Sequence, residues 1–228
     1  MKMWKIIFTQ TGAELVTELH IYKSGITMIL ETMLAAYTNL NTLRIEDHNH
    51  LQIGQNAFTD LNRLKIFSLK NNNLKELPNV MPRYVRVLDV SENQLGASEN
   101  IATLEEYELP ELRTLHLTNI SIKTLPNIAR MLAKKIVRLY AGNNQITAVN
   151  ALIFQDCKSL KTIVLSHNPL VILLSPGDVQ HVADSLNWLE LLSTKLRCFT
   201  VNEWKNWVKP DGNRIGVIQL IHSVIFSV

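Results

Sequence analysis

The sequence is poor in the residues that most active sites need. It has only two cysteines, Cys157 and Cys198, too few for a small disulfide-stapled scaffold or a cysteine-rich zinc module. Eight glycines in 228 residues leave no phosphate-cradling loop, and no Cys-x-x-Cys, His-Glu-x-x-His or Gly-x-Ser-x-Gly is present. His48-Asn49-His50 is a local coincidence of letters, because a nuclease of that signature spreads its residues over a metal-holding unit. Asp89 and His116 share a structural column but have no nucleophile beside them. These absences argue against an enzyme and against any metal or cofactor. The net charge is only +3 and the basic residues are scattered, including Lys134-Lys135 and the lysines of 205–209, so no stripe for nucleic acid is expected. No run reaches the roughly 18 apolar residues of a membrane span; the apolar segment Gly216–Val228 is shorter and is broken by His222. Met1–Phe8 is basic and briefly apolar, without the longer core and small-residue cleavage site of a leader, and it reads as an edge strand over Trp4–Phe8.

What is abundant is leucine, isoleucine and asparagine in a fixed order. The pattern Leu-x-x-Leu-x-Leu-x-x-Asn-x-Leu opens clearly at Leu64, Val85, Ile136 and Leu160, and more weakly at Val16, Leu40, Leu112 and Leu186. Successive openings are separated by 24, 24, 21, 27, 24, 24 and 26 residues. A constant period of this size predicts units that bury their apolar faces only against their neighbours, hence one continuous solenoid and not two globular domains. Positions four and six of each unit alternate with polar residues, as in Leu115-His116-Leu117, which predicts a strand with one face buried. Units that return the chain to the same place stack these strands in parallel at roughly 4.8 Å.

Position nine follows the strand, where the chain turns inward and its amide groups would lie buried. An amide side chain there satisfies them, so Asn72, Asn93, Asn144 and Asn168 are expected to form a structural ladder. Units one, five and eight place Ser24, Ile120 and Thr194 at that point. Unit two is one residue longer, and Asn49 is expected to stand in after a bulge. In the return segments, Phe58 and Phe154 recur at matching positions and suggest a second spine on the outer side. Leu77–Pro82 should be extended because of its two prolines, whereas Ser98–Tyr107 reads as about two helical turns.

From Val16 to Leu196 the chain resembles the animal extracellular leucine-rich repeat proteins of the 24-residue type, including Toll-type ectodomains, small secreted repeat proteins and insect immune-type members. The resemblance rests on the repeated unit, on Ala57-Phe58 between units, and on Leu196-Arg197-Cys198 followed by Trp204 and Trp207, which looks like a degenerate carboxyl-terminal cap. It implies an α/β leucine-rich repeat solenoid: a parallel sheet on a concave face, with short helices, 3-10 turns and extended segments on the convex side. The implied divisions are an amino-terminal edge segment at 1–15, an array of about eight repeats at 16–196, and a cap and tail at 197–228. The family's cap begins with a cysteine pair, of which only Cys198 stands here, and Cys157 fits a buried core position.

An array of this kind presents a surface, so the expected function is non-catalytic recognition of a protein partner on the concave face, in innate immunity or at a cell surface. The solvent-facing strand positions nominate Tyr22, Arg44, Glu46, Lys70, Asp89, His116, Tyr140 and Trp188. Charges of both signs toward the amino end suit a protein partner, and Tyr140, Val164, Trp188 and Leu192 make the other end more apolar. Trp188 has a second reading, burial beneath the tail after Cys198. Asn119-Ile120-Ser121 is the one sequon and marks Asn119 as a glycosylation candidate on an extracellular chain. An intracellular scaffold or regulatory subunit in the cytoplasm is the alternative.

Overall fold

A computed structural model describes residues 12–97, 102–127, 131, 134–149, 151–154, 157–170 and 186–194. The strand expected over Trp4–Phe8 and the cap around Cys198 lie outside these residues. Eight strands form one parallel sheet in the order β1 (Glu18–Tyr22), β3 (Thr42–Glu46), β5 (Ile66–Ser68), β6 (Val87–Asp89), β7 (Thr114–His116), β8 (Arg138–Tyr140), β9 (Thr162–Val164) and β10 (Trp188–Glu190). The register places position four of each unit beside position four of the next, Leu19 against Leu43, Leu43 against Phe67, and so on to Ile163 against Leu189. A second, two-stranded parallel sheet joins β2 (Met28–Ile29) to β4 (Gln52–Ile53) in the return segments of the first two units. The architecture is the leucine-rich repeat solenoid that the period predicts.

The alternation of side chains does what period two requires. From Leu43 onward, positions four and six are buried in every described unit, from Leu43 and Ile45 to Leu189 and Leu191, while positions three, five and seven face away from the core. The core is therefore a column of aliphatic layers, capped on the outer side by Leu34, Phe58, Met81, Leu104, Met131 and Phe154. Phe58 and Phe154 do not stack on each other. They lie four coils apart, and Phe58 packs edge-on against Phe67 of the following strand, centroids 4.7 Å apart. The outer segments are a 3-10 turn at Leu95–Ala97, a one-turn helix α1 at Ala102–Glu106 and another 3-10 turn at Ala151–Phe154; Leu77–Pro82 holds no helix or strand and bends at Asn79. Residues 98–101 of the predicted two-turn helix lie outside the described set.

Coils are joined by the asparagine ladder. Asn93 Nδ2 donates to the carbonyls of Leu69 and Val90 at 2.9 Å each, while its Oδ1 accepts from the amides of Asn72 at 3.2 Å and Leu74 at 2.9 Å. Asn144 repeats this with the carbonyls of Leu117 and Ala141 and the amides of Ile120 and Ile122. Asn72 and Asn168 hold the same place in their own coils. In unit two the rung is His48 and not Asn49. His48 is 4% exposed, its amide donates to Asn72 Oδ1 at 3.0 Å, and its ring lies 2.9 Å from Ser24 Oγ and 3.3 Å from Asn72 Oδ1. The ring is long enough to link two neighbours at once. The extra residue of this unit therefore falls after the rung, leaving Asn49 and His50 exposed before the buried Leu51.

The turn into each rung has a common backbone cause. Position eight of all eight units, Lys23, Asp47, Asn71, Glu92, Asn119, Asn143, His167 and Ser193, has φ between 48° and 64°. A left-handed residue here reverses the chain's course so that position nine points inward; among residues with a side chain, asparagine is one of those that accept this conformation most readily. At Ile120 the ladder is interrupted, because a fully buried aliphatic side chain replaces the amide. The coils there approach through backbone: Gly96 donates to Ile120 O at 2.8 Å, and a Cβ on Gly96 would fall 2.3 Å from the Ser121 carbonyl oxygen. The interrupted rung and the glycine are two parts of one contact.

Replacing Asn93 or Asn144 by Ala leaves buried carbonyls and amides unpaired and is expected to cost about 1–3 kcal/mol each. Gly96→Ala should cost a comparable amount, about 1–3 kcal/mol, by forcing backbone apart. Denaturant midpoints check both; unmoved midpoints for the two asparagine variants would show that the ladder is not what joins the coils.

Candidate protein-binding face

Side chains at positions three, five and seven of adjacent strands form a grid on the concave face. Toward the amino end the grid is charged and internally paired. Arg44 bonds Glu46 at 3.3 Å, Lys70 reaches Glu92 at 3.0 Å, and Lys23 lies 3.7 Å from Asp47. The Glu92 contact holds the Lys70 ammonium above its ordinary value, more than offsetting partial burial. Tyr22 projects at the edge and is 62% exposed. Beneath this layer small hydroxyl side chains at Ser68, Ser91 and Ser166 are buried and bond the strand ends; Ser91 Oγ accepts from the Thr118 amide at 3.2 Å.

The character changes at β7. His116 and Tyr140 stack with ring centroids 4.5 Å apart and an interplanar angle of 8°. Parallel neighbours in register put equivalent side chains one strand spacing apart, which is why two flat residues at position five stack. Burial drives the His116 imidazole below its ordinary value; Lys70 and Arg44 add to that, and Asp89 opposes them. Burial thus disfavours the charged form of the ring in the stack, and half-buried Val164 continues the row on β9. On β10, Trp188 is half-buried, and its indole N–H points to Glu190 Oε2 at 3.4 Å. Ser166 donates to the other Glu190 oxygen at 2.8 Å. The tail that would cover Trp188 lies outside the described residues. At position seven of the unit that holds Tyr140, a Cβ on Gly142 would fall 3.2 Å from the Ser166 carbonyl oxygen.

The nominated residues thus fall on one face, in two groups: Tyr22, Arg44, Glu46 and Lys70 in the charged part, and Asp89, His116, Tyr140 and Trp188 in or beside the aromatic part. Sequence reasoning passed over the fixed orientation of Glu190 and the pairing that neutralises Arg44 and Lys70. The side-chain lengths alone carry a trace of the second, since Lys70 at position seven and Glu92 at position eight of the next unit are neighbours once strands are in register. Asn119 is exposed at position eight, with its amide donating to Gly142 O at 3.1 Å. On the outer side, Glu105 accepts the Asn127 amide at 2.9 Å and so supports the fold. Cys157 is buried, as its position predicts. Among the described residues no group of three metal-ligating side chains occurs, and no helix is long and apolar enough to cross a membrane.

Comparison with known proteins gives the same grouping. Lumican of Gallus gallus is 30% identical over 208 residues, covering 81% of this chain and 60% of lumican. Human lumican is 28% identical over 191 residues, and podocan of Mus musculus is 31% identical over 141 residues, which is 23% of podocan. The chain therefore spans about three fifths of the length of the chicken lumican it matches. Lumican and podocan are secreted extracellular matrix proteins. Solved structures with the same fold include a leucine-rich repeat protein of Leptospira interrogans, TM-score 0.68 at 21% identity over 83% of this chain and 46% of that one. TLR13 in complex with ssRNA13 gives 0.67 at 20% identity over 82% of this chain and 26% of that one. A chain of the octameric complex of Latrophilin 3, Unc5D and FLRT2 gives 0.63 at 23% identity over 86% and 68%. No family model matches the sequence.

Since the folded His116 value lies below the unfolded one, the unfolded chain binds the proton more readily. Its contribution to stability is present above the ordinary histidine range and is lost as pH falls through the depressed folded value. Unfolding free energy measured from pH 8 to pH 5 should fall more steeply for the native chain than for His116→Gln. Equal slopes would remove burial as the controlling influence on this ring.

Proposed function

We propose that this chain, a leucine-rich repeat protein of the animal extracellular type, is a non-catalytic recognition module that grips a protein partner on its concave face, centred on the carboxyl-terminal aromatic half. The observation that carries the reading is the stacked His116–Tyr140 pair with Val164 and Trp188 on the next two strands. Large, flat, partly desolvated side chains on a rigid sheet contribute binding energy at little entropic cost, and aromatic residues dominate protein interfaces for that reason. The paired charges of Arg44, Glu46 and Lys70 are then a rim: each already has a partner, so exchanging it for a ligand gains little. Enzymatic activity has no support in the face: the one described serine there that meets a carboxylate, Ser166 against Glu190, is buried and already accepts the Leu192 amide. Nucleic acid is a poorer fit than protein, because Arg44 and Lys70 are already bonded to carboxylates, which leaves Arg138 as an isolated cation on these strands.

Tyr140→Ala combined with Trp188→Ala should weaken partner capture by tenfold or more while leaving the unfolding transition in place. Asp60→Ala, on the exposed outer side, should change neither. A partner enriched from extracellular fluid and tested on immobilised variants decides it: a loss with Asp60→Ala and none with the double variant would move the site off the concave face.

Secretion is part of the same reading, supported by the secreted relatives and by the exposed sequon at Asn119. A glycan there would stand on the rim beside the fifth strand and leave the core untouched, steering partners away from that edge. Expression of the full-length transcript in animal cells should place the protein in the medium with a glycosidase-sensitive mobility that Asn119→Gln abolishes. Retention in the cytosol without a shift would favour a scaffold role inside the cell. A place in innate immunity belongs to this proposal at the same level, as one setting in which extracellular repeat modules recognise proteins.

A further inference from the structure

On the concave face the charged side chains divide into those already paired and those held in place without a countercharge. Arg44, Glu46, Lys70 and Glu92 are paired with one another. Asp89 and Glu190 are different. Asp89 accepts the Ser91 amide at 2.9 Å; Glu190 accepts Ser166 Oγ at 2.8 Å and faces the Trp188 indole N–H at 3.4 Å. Among the described residues neither carboxylate has a cation within salt-bridge distance, although Asp89 lies near enough to raise both Lys70 and His116. Both occupy position five, and the strands between them carry His116, Tyr140 and Val164 at that position. The row thus reads acid, three uncharged contacts, acid.

We infer that this row recognises an extended peptide segment with two cationic side chains bracketing an apolar or aromatic stretch. The inference rests on the concave-face reading above and specifies its ligand. Asp89 and Glu190 are separated by four strand spacings, roughly 19 Å. An extended chain advances about 3.3 Å per residue, so the two cations stand about six residues apart. Each carboxylate is oriented by hydrogen bonds that leave its lone pairs partly free, so a guanidinium can bond it without first displacing a salt bridge. The neutral stack and Val164 between them offer apolar area to the middle of the peptide. Arg138, exposed at position three of β8, lies at the midpoint and penalises a cation there. Charge order along the row is therefore complementary at both ends and opposed in the centre.

The test uses the full chain and three synthetic peptides of equal composition in the apolar part: one with arginines six residues apart, one with the two arginines adjacent at the centre, and one with glutamates in place of the spaced arginines. Binding is read by tryptophan fluorescence and calorimetry at low and physiological salt. The spaced-arginine peptide should bind at least tenfold more tightly than either other, and added salt should narrow the gap. Asp89→Asn and Glu190→Gln should each weaken it about twofold to fivefold and together about tenfold, with unchanged unfolding midpoints. Equal binding of all three peptides, or no binding of the spaced peptide, overturns the charge order. Dependence on Tyr140 and Trp188 without dependence on the two carboxylates would overturn this inference yet keep the concave-face reading. Tight binding insensitive to all four residues would overturn both.

Discussion

Everything in this molecule depends on satisfying the backbone where each coil leaves its strand. A stacked coil buries amides and carbonyls on its inner side with no strand partner, and each such group left bare would cost as much as a hydrogen bond is worth. The left-handed residue at position eight aims position nine inward, and an amide side chain there both donates and accepts across the coil boundary. Where the asparagine is missing, another device appears: an imidazole at His48, or close backbone approach through Gly96 beside Ile120. Among the described residues no buried side-chain nitrogen or oxygen lacks a partner. The ladder is closed by different chemistry at different rungs.

That constraint frees the opposite face. Because the inner positions carry the core and the ladder, the outward positions of the strands are less constrained by folding and can vary in character from end to end. Parallel register then turns sequence neighbours 24 residues apart into spatial neighbours one strand apart. Two aromatic residues at the same position become a stack, and two carboxylates four strands apart become the ends of a row. A rigid sheet holds such a pattern without the entropic cost that a loop would pay to order it.

Most of the fold could be read from spacing. The opening residues, the eight parallel strands, the buried alternation and four ladder asparagines follow from a period of about 24 and from which residues tolerate burial. Three features did not. Asn49 matches the motif by residue type, whereas reach across two coils puts the larger ring of His48 in the rung. Phe58 and Phe154 share a position but not a contact, since four coils separate them. Glu105 holds the Asn127 amide across the coil boundary, a contact that no repeat position marks. Each depends on the distance between residues remote in sequence, which a pattern does not contain.

For the candidate face the division is similar. The sequence by itself determined which side chains point outward, because alternation within a strand is a local consequence of backbone geometry. It also determined that they lie in register, because the period is nearly constant. Only the tertiary structure decided what those side chains do to one another: that Arg44 and Lys70 are paired with Glu46 and Glu92, that burial disfavours the charged form of His116 against Tyr140, and that Ser166 and Trp188 fix Glu190. The reason is physical. Outward direction is set by torsion angles within one residue, whereas pairing, stacking and desolvation depend on distances of a few ångströms between chains of atoms that meet only when the coils are stacked.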